Sequence, residues 1–374
     1  MRINIASSGG RFHLLDLARE LSKCGHEVHF YSFVPDKRAA QFGLKKECNN
    51  NYFWVAAPFL ALFRIFHRAL WTELLYNRFF DRYVALVMKP CDVFIGHSPT
   101  HVHSIKYAKK KYGAVTIIER GTSHVKTQLK VLQSNPAAKG KRVKLDGDVR
   151  RDLAGYDVAD YISIASRHVY ESFIENGVSK EKLFVNPYGV DLANFGPTSL
   201  DTAGDVYDVI MTGHWCYRKG CDLLYQACKE MGLRLLHVGG LGDVPFVETD
   251  KMKHHDAVDE KALKGYYARA RVFALPSREE GLAMVQPQAM ICGLPLVCSH
   301  FSGGADLREM LDDKKWVIEM RELTVAELKR CIGEALKLAA TQRGERNYVG
   351  NAMSSLTWEG YGKRYDKFLR SIVK

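Results

Sequence analysis

The sequence lacks the features that mark secreted, zinc-binding and nucleic-acid-binding chains. Its nine cysteines are scattered, and none forms a Cys-x-x-Cys pair or a Cys/His cluster with zinc spacing. No helix-turn-helix, zinc finger or RNA-binding motif is recognisable. The start, MRINIASSGG, has too few apolar residues before two glycines to be a secretory signal. These absences predict a cytoplasmic protein that requires no metal or other cofactor.

A long uninterrupted apolar run is also missing. The stretch 53–71, FWVAAPFLALFRIFHRALW, has the length of a membrane span, but Pro58 breaks its first part and Arg64, His67 and Arg68 interrupt the rest. One interpretation is a basic, aromatic-rich helix that lies in a membrane interface. The other is a core helix of the first domain whose charged residues face water. Both interpretations stay open on the sequence alone.

The composition that remains is that of a soluble globular protein. A chain of 374 residues is long enough for two domains with substantial cores, and 47% of the residues are hydrophobic and 26% charged. The formal net charge of +12 requires an anionic partner, which could be nucleic acid, a phosphate-rich substrate or an acidic membrane surface. The charge by itself does not choose among them.

Short apolar runs alternate with helical patterns along the chain, which predicts buried parallel strands. A segment rich in Gly, Pro, Ser and Thr, residues 192–206, separates two such series and is typical of a linker. The pattern predicts an α/β fold of two Rossmann-like, doubly wound parallel-sheet domains that face a central cleft. The predicted strands are 3–6, 28–33, 91–97, 114–120, 160–166 and 182–191 before the linker, and 208–213, 233–240, 271–277 and 295–300 after it.

Two glycine-containing turns follow the first strand of each domain. Gly9 and Gly10 precede the first helix, where backbone N–H groups and the helix dipole suit a phosphate, although the dinucleotide pattern Gly-x-Gly-x-x-Gly is absent. In the second domain, GHWCYRKG (213–220) places Arg218 and Lys219 just before a helix, where their charges could meet a diphosphate.

The stretch ALPSREEGLAMVQPQAMICGLPLVCS (274–299) carries the strongest signal. A strand ends at Pro276, a loop presents Glu280 and Gly281, and a helix that contains Gln288 follows. A carboxylate at 280 can accept hydrogen bonds from sugar hydroxyls, and a side chain at 288 can bind a ribose.

These residues resemble the donor-site motif of the retaining GT-B glycosyltransferases of family 4. That motif is Glu, seven residues, Glu, in the frame Pro-Ser-x-x-Glu-Gly and Glu-Ala-Met-x-x-Gly-x-Pro. The resemblance extends to LARELSKCGHEV after the glycine loop, to GHWCYRKG and to WEGYGKRYDKFL near the end. The matching residues of the frame are Pro276, Ser277, Glu280, Gly281, Ala289, Met290, Gly293 and Pro295.

The resemblance implies a domain plan. Residues 1–191 would form the acceptor-side domain and 207–355 the nucleotide-sugar-binding domain, joined by the linker 192–206. Residues 356–374 would form a helix that crosses back to the first domain.

The resemblance also implies a role for individual residues toward a nucleoside diphosphate sugar. Lys219 and Arg218 would neutralise the leaving diphosphate and Glu280 would bind the donor sugar, with His124 as a further catalytic candidate. Glu119 and Arg120 would lie on the acceptor side, and His254 and His255 in the region of the base. The implied donor-binding set is Gly9, Gly10, Gly213, His214, Gly281, Leu282, Ala283, Met284, Val285 and Gln288.

Three positions depart from the family pattern. His214 stands where the family has arginine, and Gln288 replaces the second glutamate, which keeps an acceptor oxygen but loses the charge. The family's His-Gly pair aligns with Arg120 and Gly121, while His124 follows three residues later and could turn toward the donor.

The predicted function is therefore transfer of a sugar, with retention, from a nucleoside diphosphate sugar to a saccharide or lipid-linked saccharide. We expect a place in bacterial surface polysaccharide or lipopolysaccharide synthesis, on the inner face of the cytoplasmic membrane. The stretches 53–71 and 106–112 would contact an anionic membrane surface. The alternative is a catalytically inactive subunit that binds sugar nucleotides, and a basic nucleic-acid-binding protein is a remote one.

Overall fold

The computed structural model describes residues 1–8, 12–66, 69–140 and 143–373. It contains two parallel β-sheets, of seven and six strands, with helices packed on them. The predicted fold class, two Rossmann-like, doubly wound parallel-sheet domains, is confirmed. Each sheet has its first strand near the middle, so the chain winds outward in both directions, as doubly wound folds do.

The first sheet has the strand order β3-β2-β1-β4-β5-β6-β7, and every pair in it is parallel. Its central strand β1 holds Ile3 and Ile5, which are completely buried because helices cover both faces. The strands are β1 (Arg2–Ala6), β2 (Glu27–Ser32), β3 (Asn49–Asn51), β4 (Val93–His97), β5 (Val115–Arg120), β6 (Tyr161–Ile164) and β7 (Leu183–Val185). The helices between them are α1 (Phe12–Lys23), α2 (Asp36–Gln41), α3 (Phe53–Ile65), α4 (Leu70–Val87), α5 (His103–Tyr112), α6 (Val125–Gln133), α7 (Asp146–Val158) and α8 (Arg167–Glu175).

The second sheet has the order β10-β9-β8-β11-β12-β13 and is also parallel throughout. Its strands are β8 (Tyr207–Thr212), β9 (Leu235–Val238), β10 (Met252–His255), β11 (Ala270–Leu275), β12 (Leu296–Ser299) and β13 (Val317–Met320). The remaining helices are α9 (Cys221–Met231), α10 (Leu263–Ala268), α11 (Val285–Ile291), α12 (Gly304–Glu309), α13 (Val325–Thr341) and α14 (Trp358–Ile372).

The sequence analysis did not predict three short strands, β3, β10 and β13, and all of them lie at sheet edges. β3 is formed by three asparagines and β10 by MKHH, so neither has an apolar run that would indicate a strand. β13 has only four residues. Edge strands pair on one side only and need not be apolar, which explains why a hydrophobicity pattern misses them.

The stretch 53–71 is divided between two helices, α3 and the start of α4. The interpretation as a core helix fits only one side of α3. Phe59 and Phe63 pack against the core of the first domain and Arg64 faces water, whereas Trp54 is 84% exposed. Within the described ranges, no helix combines the length and the apolar character needed to cross a bilayer.

The helix α14 packs on α1 of the first sheet. His26 Nε2 and Asp366 Oδ1 lie 2.6 Å apart, and Tyr365 donates a hydrogen bond to Glu119 at 2.8 Å. The two helices approach so closely at Gly362 that a Cβ there would lie 2.3 Å from the Cβ of Glu20. The last helix of the chain is therefore part of the first domain's packing.

This contact predicts opposite effects for two helical glycines. Gly362→Ala forces α14 away from α1 and should destabilise the protein by about 1–3 kcal/mol through overpacking. Gly333→Ala in α13 is the matched control: nothing lies within 4 Å of its Cβ position, so the better helix former should stabilise by about 0.5–1 kcal/mol. Thermal melting checks both, and equal shifts of the two melting temperatures would contradict the close packing.

Candidate functional site

The second domain presents two cations where its first strand ends. After β8 the chain forms a short 3-10 turn, Tyr217–Lys219, and then enters α9 through Gly220. Gly220 has φ +70°, and a Cβ there would lie 2.0 Å from the carbonyl oxygen of Pro276, so only glycine fits. This turn buries Lys219 and half-buries Arg218 at the carboxyl edge of the sheet.

Glu280 lies directly between these cations. Its Oε1 is 2.7 Å from Lys219 Nζ and 3.0 Å from Arg218 Nη1. Burial of Glu280 opposes its ionisation, but the charges of Lys219 and Arg218 outweigh that effect and hold the pKa of the carboxyl below its usual value. The three side chains therefore form an ionised cluster in a site largely shielded from water.

A second ion pair fixes the loop that carries Glu280. The two terminal guanidinium nitrogens of Arg278, Nη1 and Nη2, donate to Asp222 at 2.6 and 2.7 Å. The guanidinium carbon lies 3.7 Å from the centre of the Tyr217 ring. The backbone N–H of Arg278 also donates to the Arg218 carbonyl at 2.7 Å. The loop before Glu280 and the turn that carries the cations are thus held together as one unit.

Residues of the first domain form hydrogen bonds to the same loop from the other side. Ser123 N donates to Glu279 Oε1 at 2.9 Å, Ser166 Oγ donates to the Gly281 carbonyl at 2.7 Å, and His168 Nε2 donates to the Glu280 carbonyl. Gly281 lies so close to Gly121 that a Cβ would be 2.1 Å from the Gly121 carbonyl oxygen. Backbone contact between the domains therefore sets the position of Glu280.

A cavity of about 360 Å³ opens beside Glu280, between the two domains. Its walls combine three charged groups with a mostly apolar lining, a composition that suits a ligand with a polar head and a sugar ring. The lining residues are His13, Asp16, Gly121 and Tyr188 from the first domain and Lys219, Glu280, Leu282, Ala283, Met284 and Val285 from the second.

The first-domain wall is built around His13, which sequence reasoning missed. His13 Nε2 donates to Glu119 Oε2 at 3.0 Å, and its ring lies 4.4 Å from the ring of Tyr188. The other carboxylate oxygen of Glu119 accepts the hydroxyl of Tyr365. Glu119, predicted for the acceptor side, is almost completely buried and positions His13 instead of facing the cavity.

Two first-domain predictions are corrected. His124 caps α6 by accepting from Lys126 N, and its ring packs at 5.1 Å from both Tyr156 and Phe173, outside the cavity lining. Burial lowers its pKa to about 4. Arg120, predicted for the acceptor side, is buried and binds Asp152 at 2.8 Å, with further bonds to its own loop. Both side chains stabilise the fold and are not placed to meet substrate.

Gln288 sits one helical turn beyond the cavity wall. Its Nε2 donates to Glu260 Oε1 at 3.3 Å, and its Oε1 is buried with no hydrogen-bond partner among the residues that the structure describes. A carboxylate therefore does lie beside position 288, supplied by Glu260 from the turn before α10. Sequence spacing gives no signal for this pair.

Four further predicted residues lie outside the cavity lining. Gly213 is next to Lys219, and its carbonyl accepts from His237 Nε2 at 2.8 Å. His254 stacks on His237 at 4.9 Å, and His255 bonds to Tyr266, so both are held by neighbours at the edge of the sheet. His214 is exposed. Gly9 and Gly10 lie outside the described residues.

A third contact joins the domains at the start of α8. Arg167 N donates to both carboxylate oxygens of Asp306, at 2.9 and 3.1 Å. Burial raises the pKa of Asp306 from 3.8 to about 6, which the bonds from Arg167 only partly offset.

This raised pKa predicts a pH-dependent effect of Asp306→Asn. The folded protein holds the proton of Asp306 up to a higher pH than the unfolded chain, so ionisation costs stability as pH rises from about 4 to 6. Asp306→Asn removes that cost and should raise the melting temperature at pH 8 but not at pH 4. A lower melting temperature at pH 8 would mean that the ionised carboxylate is a favourable partner of Arg167.

Across the described ranges, no three side chains of His, Cys, Asp or Glu lie close enough together to hold a metal ion. All nine cysteines lie in those ranges and are free thiols.

Comparison with known proteins gives relatives over more than half of the length. A component of the phosphatidylinositol N-acetylglucosaminyltransferase of Arabidopsis thaliana is 27% identical over 237 residues, which cover 58% of this chain and 51% of that protein. The chain thus spans about half of that relative's length.

Solved structures match the whole chain. Sucrose-phosphate synthase from Thermosynechococcus elongatus has a TM-score of 0.68 at 17% identity, covering 100% of this chain and 99% of that one. Anabaena Alr3699/HepE, solved in complex with UDP and glucose, has a TM-score of 0.64 at 13% identity and covers 100% of both chains. At these identities the likeness shows the fold.

Family assignment rests on both halves of the molecule. Residues 7–194 match the family described as Glycosyltransferase Family 4, and residues 207–337 match Glycosyl transferases group 1. The two matches meet at the site, since the first includes the loop with Gly121 and the second includes Lys219 and Glu280. The chain belongs to the group 1 glycosyl transferases, glycosyltransferase family 4.

Proposed function

We propose that this protein transfers a sugar from a nucleoside diphosphate sugar, bound in the cavity beside Glu280, to a saccharide or lipid-linked saccharide. The observation that carries the proposal is the buried cluster of Glu280 with Lys219 and Arg218 in a cavity shared by both domains. A diphosphate needs fixed positive charge, and a sugar needs a hydrogen-bond acceptor, and the cluster offers both within one site. The structure of the Anabaena relative with UDP and glucose supports this class of donor.

Lys219 and Arg218 would neutralise the charge that develops on the leaving diphosphate. Such stabilisation is strongest in a site that excludes water, and Lys219 is only 9% exposed. Glu280, which stays ionised, would accept hydrogen bonds from hydroxyls of the donor sugar. Residues 282–285 line the cavity, and the backbone N–H groups of residues 281–284 would hold the sugar and the adjoining phosphate.

Gln288 and Glu260 would share the contact with the ribose. The buried Oε1 of Gln288 can accept a hydroxyl, while Glu260 orients the amide by accepting from its Nε2. The region of the base would be formed near His254 and His255 at the end of β10, beside His237.

Retention of the anomeric configuration is part of the proposal. The acceptor hydroxyl would attack from the face that the diphosphate leaves, so the hydroxyl proton could pass to the departing phosphate oxygen. This route needs no covalent nucleophile, which agrees with Glu280 being engaged by two cations.

We propose a lipid-linked acceptor, in surface polysaccharide or lipopolysaccharide synthesis, and peripheral contact with the inner face of the cytoplasmic membrane. Exposed apolar residues of α3 and α4 and the exposed lysines of α5 support this, as does the word phosphatidylinositol in the name of the Arabidopsis relative. The proposed domain plan has boundaries at 1–191, 192–206, 207–355 and 356–374.

The proposed class of donor is tested first, by measuring ligand binding to the wild-type protein. A panel of nucleoside diphosphate sugars is screened by thermal shift, because a ligand that binds the folded state raises the melting temperature. At least one should do so, and the matching nucleoside without phosphates should not. Release of nucleoside diphosphate from the best ligand then measures transfer and slow hydrolysis.

Two variants should then affect different steps. Glu280→Gln removes the charge that the sugar site depends on and should lower kcat at least ~100-fold. Gln288→Ala removes one hydrogen bond and should raise KM about tenfold with little change in kcat.

Matched controls are Glu322→Gln and Gln226→Ala, both exposed, the latter paired with a glutamate as Gln288 is. Small, equal effects of Glu280→Gln and Gln288→Ala would refute the assigned roles. Donor binding by the wild type without transfer or hydrolysis would favour the catalytically inactive, sugar-nucleotide-binding protein instead.

A further inference from the structure

One face of α4 is exposed and carries both apolar and basic side chains. Trp71 and Leu75 are each 47% exposed, Phe79 is 41% and Leu86 is 80% exposed. Their spacings of four and seven residues, one and two helical turns, place them on one side of the helix together with two exposed arginines, Arg78 and Arg82. A helix on the surface of a soluble protein normally packs its apolar side against the core. Helix α4 does so and also presents a second apolar side to solvent.

The end of α3 extends this apolar face. Ile65 is 67% exposed, and the ring of Phe66, itself exposed, lies 5.1 Å from the ring of Trp71. We call Ile65, Phe66, Trp71, Leu75 and Phe79 the apolar surface.

A basic pocket opens beside the apolar surface. It has a volume of about 190 Å³ and is lined by Arg78 and Arg82 of α4, His103 of α5, Arg151 of α7 and the buried Asp81. Basic groups on three separate helices therefore converge on one small cavity.

The charges in this pocket are not balanced. Asp81 is already engaged by Arg151 at 2.7 Å and by the backbone N–H groups of His103 and Ser104. Within the part of the chain that the structure describes, no carboxylate pairs with Arg78 or Arg82. Two arginines one helical turn apart thus face a cavity whose lining carboxylate, Asp81, is already engaged by Arg151 and by backbone N–H groups.

The buried side of α4 contacts the cleft. Tyr76 donates to the Ser8 carbonyl, and Thr100 Oγ1 lies 2.9 Å from both Ser8 Oγ and Asn77 Oδ1. Ser8 follows β1 at the edge of the sheet that faces the second domain. A molecule bound on the exposed side of α4 is one helix thickness away from Ser8, which follows the central strand of the first sheet.

We propose that the basic pocket binds the phosphate of an anionic membrane lipid whose acyl chains lie against the apolar surface. Arginine suits the pocket because its planar group binds phosphate oxygens in pairs. Acyl chains can cover the aliphatic Ile65 and Leu75 as well as the aromatic side chains next to the pocket, whereas base stacking covers aromatic side chains alone and a free phosphate covers neither. The inference depends on the proposed function in one respect: the role of lipid binding would be to bring a lipid-linked acceptor to the cleft.

Vesicle co-sedimentation tests the proposal with three double variants of the full chain. Arg78→Gln/Arg82→Gln removes the unpaired charges, and Trp71→Gln/Leu75→Gln removes apolar contacts. Lys337→Gln/Arg343→Gln is the charge-matched control on the exposed side of the second domain. Vesicles contain one part phosphatidylglycerol to two parts phosphatidylcholine, or phosphatidylcholine alone.

We expect the wild type to bind the vesicles that contain phosphatidylglycerol at least tenfold more strongly than those without it. Arg78→Gln/Arg82→Gln and Trp71→Gln/Leu75→Gln should each lose at least tenfold of that binding, while the control pair stays within twofold of wild type. Inorganic phosphate at matched ionic strength should not raise the melting temperature.

Several results would overturn the proposal. They are equal binding to both vesicle types, an equal loss in the control pair, stabilisation by inorganic phosphate without vesicle binding, and binding of single-stranded RNA in place of vesicles. The thermal shift of Arg78→Gln/Arg82→Gln with the nucleoside diphosphate sugar is measured in parallel. An unchanged shift there shows that a failed lipid site leaves the donor site intact.

Discussion

The backbone of residues 279–281 is held by both domains at once, and the geometry of the site depends on that double attachment. Ser166 and His168 bind its carbonyls from the first domain, while the second domain engages the side chain of Glu280 through Lys219 and Arg218. The approach of Gly281 to the Gly121 carbonyl leaves no room for a side chain. A change in the angle between the domains would therefore move Glu280 relative to the wall formed by His13.

The electrostatics of this loop favour ligand binding over stability. Buried ion pairs gain little net stability, because the cost of removing charges from water offsets their attraction. Glu280 nevertheless stays ionised, since two cations outweigh its burial. The arrangement holds Lys219 in place beside the cavity, and preorganised charge of this kind is what a diphosphate leaving group requires. The chain thus keeps a costly cluster at the position where a ligand would use it.

The sequence predicted the fold, and of the residues that it singled out, several of those of the second domain come together at one cavity while the described ones of the first domain do not line it. Lys219 and Glu280 lie in the turns that follow β8 and β11, so strand position fixes which edge they occupy. Arg120 ends β5 and His124 caps α6, and both side chains are buried by tertiary contacts that the sequence does not reveal. His13 was visible only as one residue of a helix, and its place in the cavity depends on Glu119 and Tyr365, far apart in sequence. Glu260 beside Gln288 depends on tertiary contact in the same way.

The central claim is that Lys219, held by Glu280, meets the diphosphate of the donor. Calorimetric titration of UDP and GDP into wild type and into Lys219→Met measures this contact without any need for the acceptor. We predict that the nucleoside diphosphate that binds the wild type loses at least tenfold in affinity for Lys219→Met, while the corresponding nucleoside shows no difference between the two proteins. Equal affinities of the diphosphate for wild type and Lys219→Met would contradict the account.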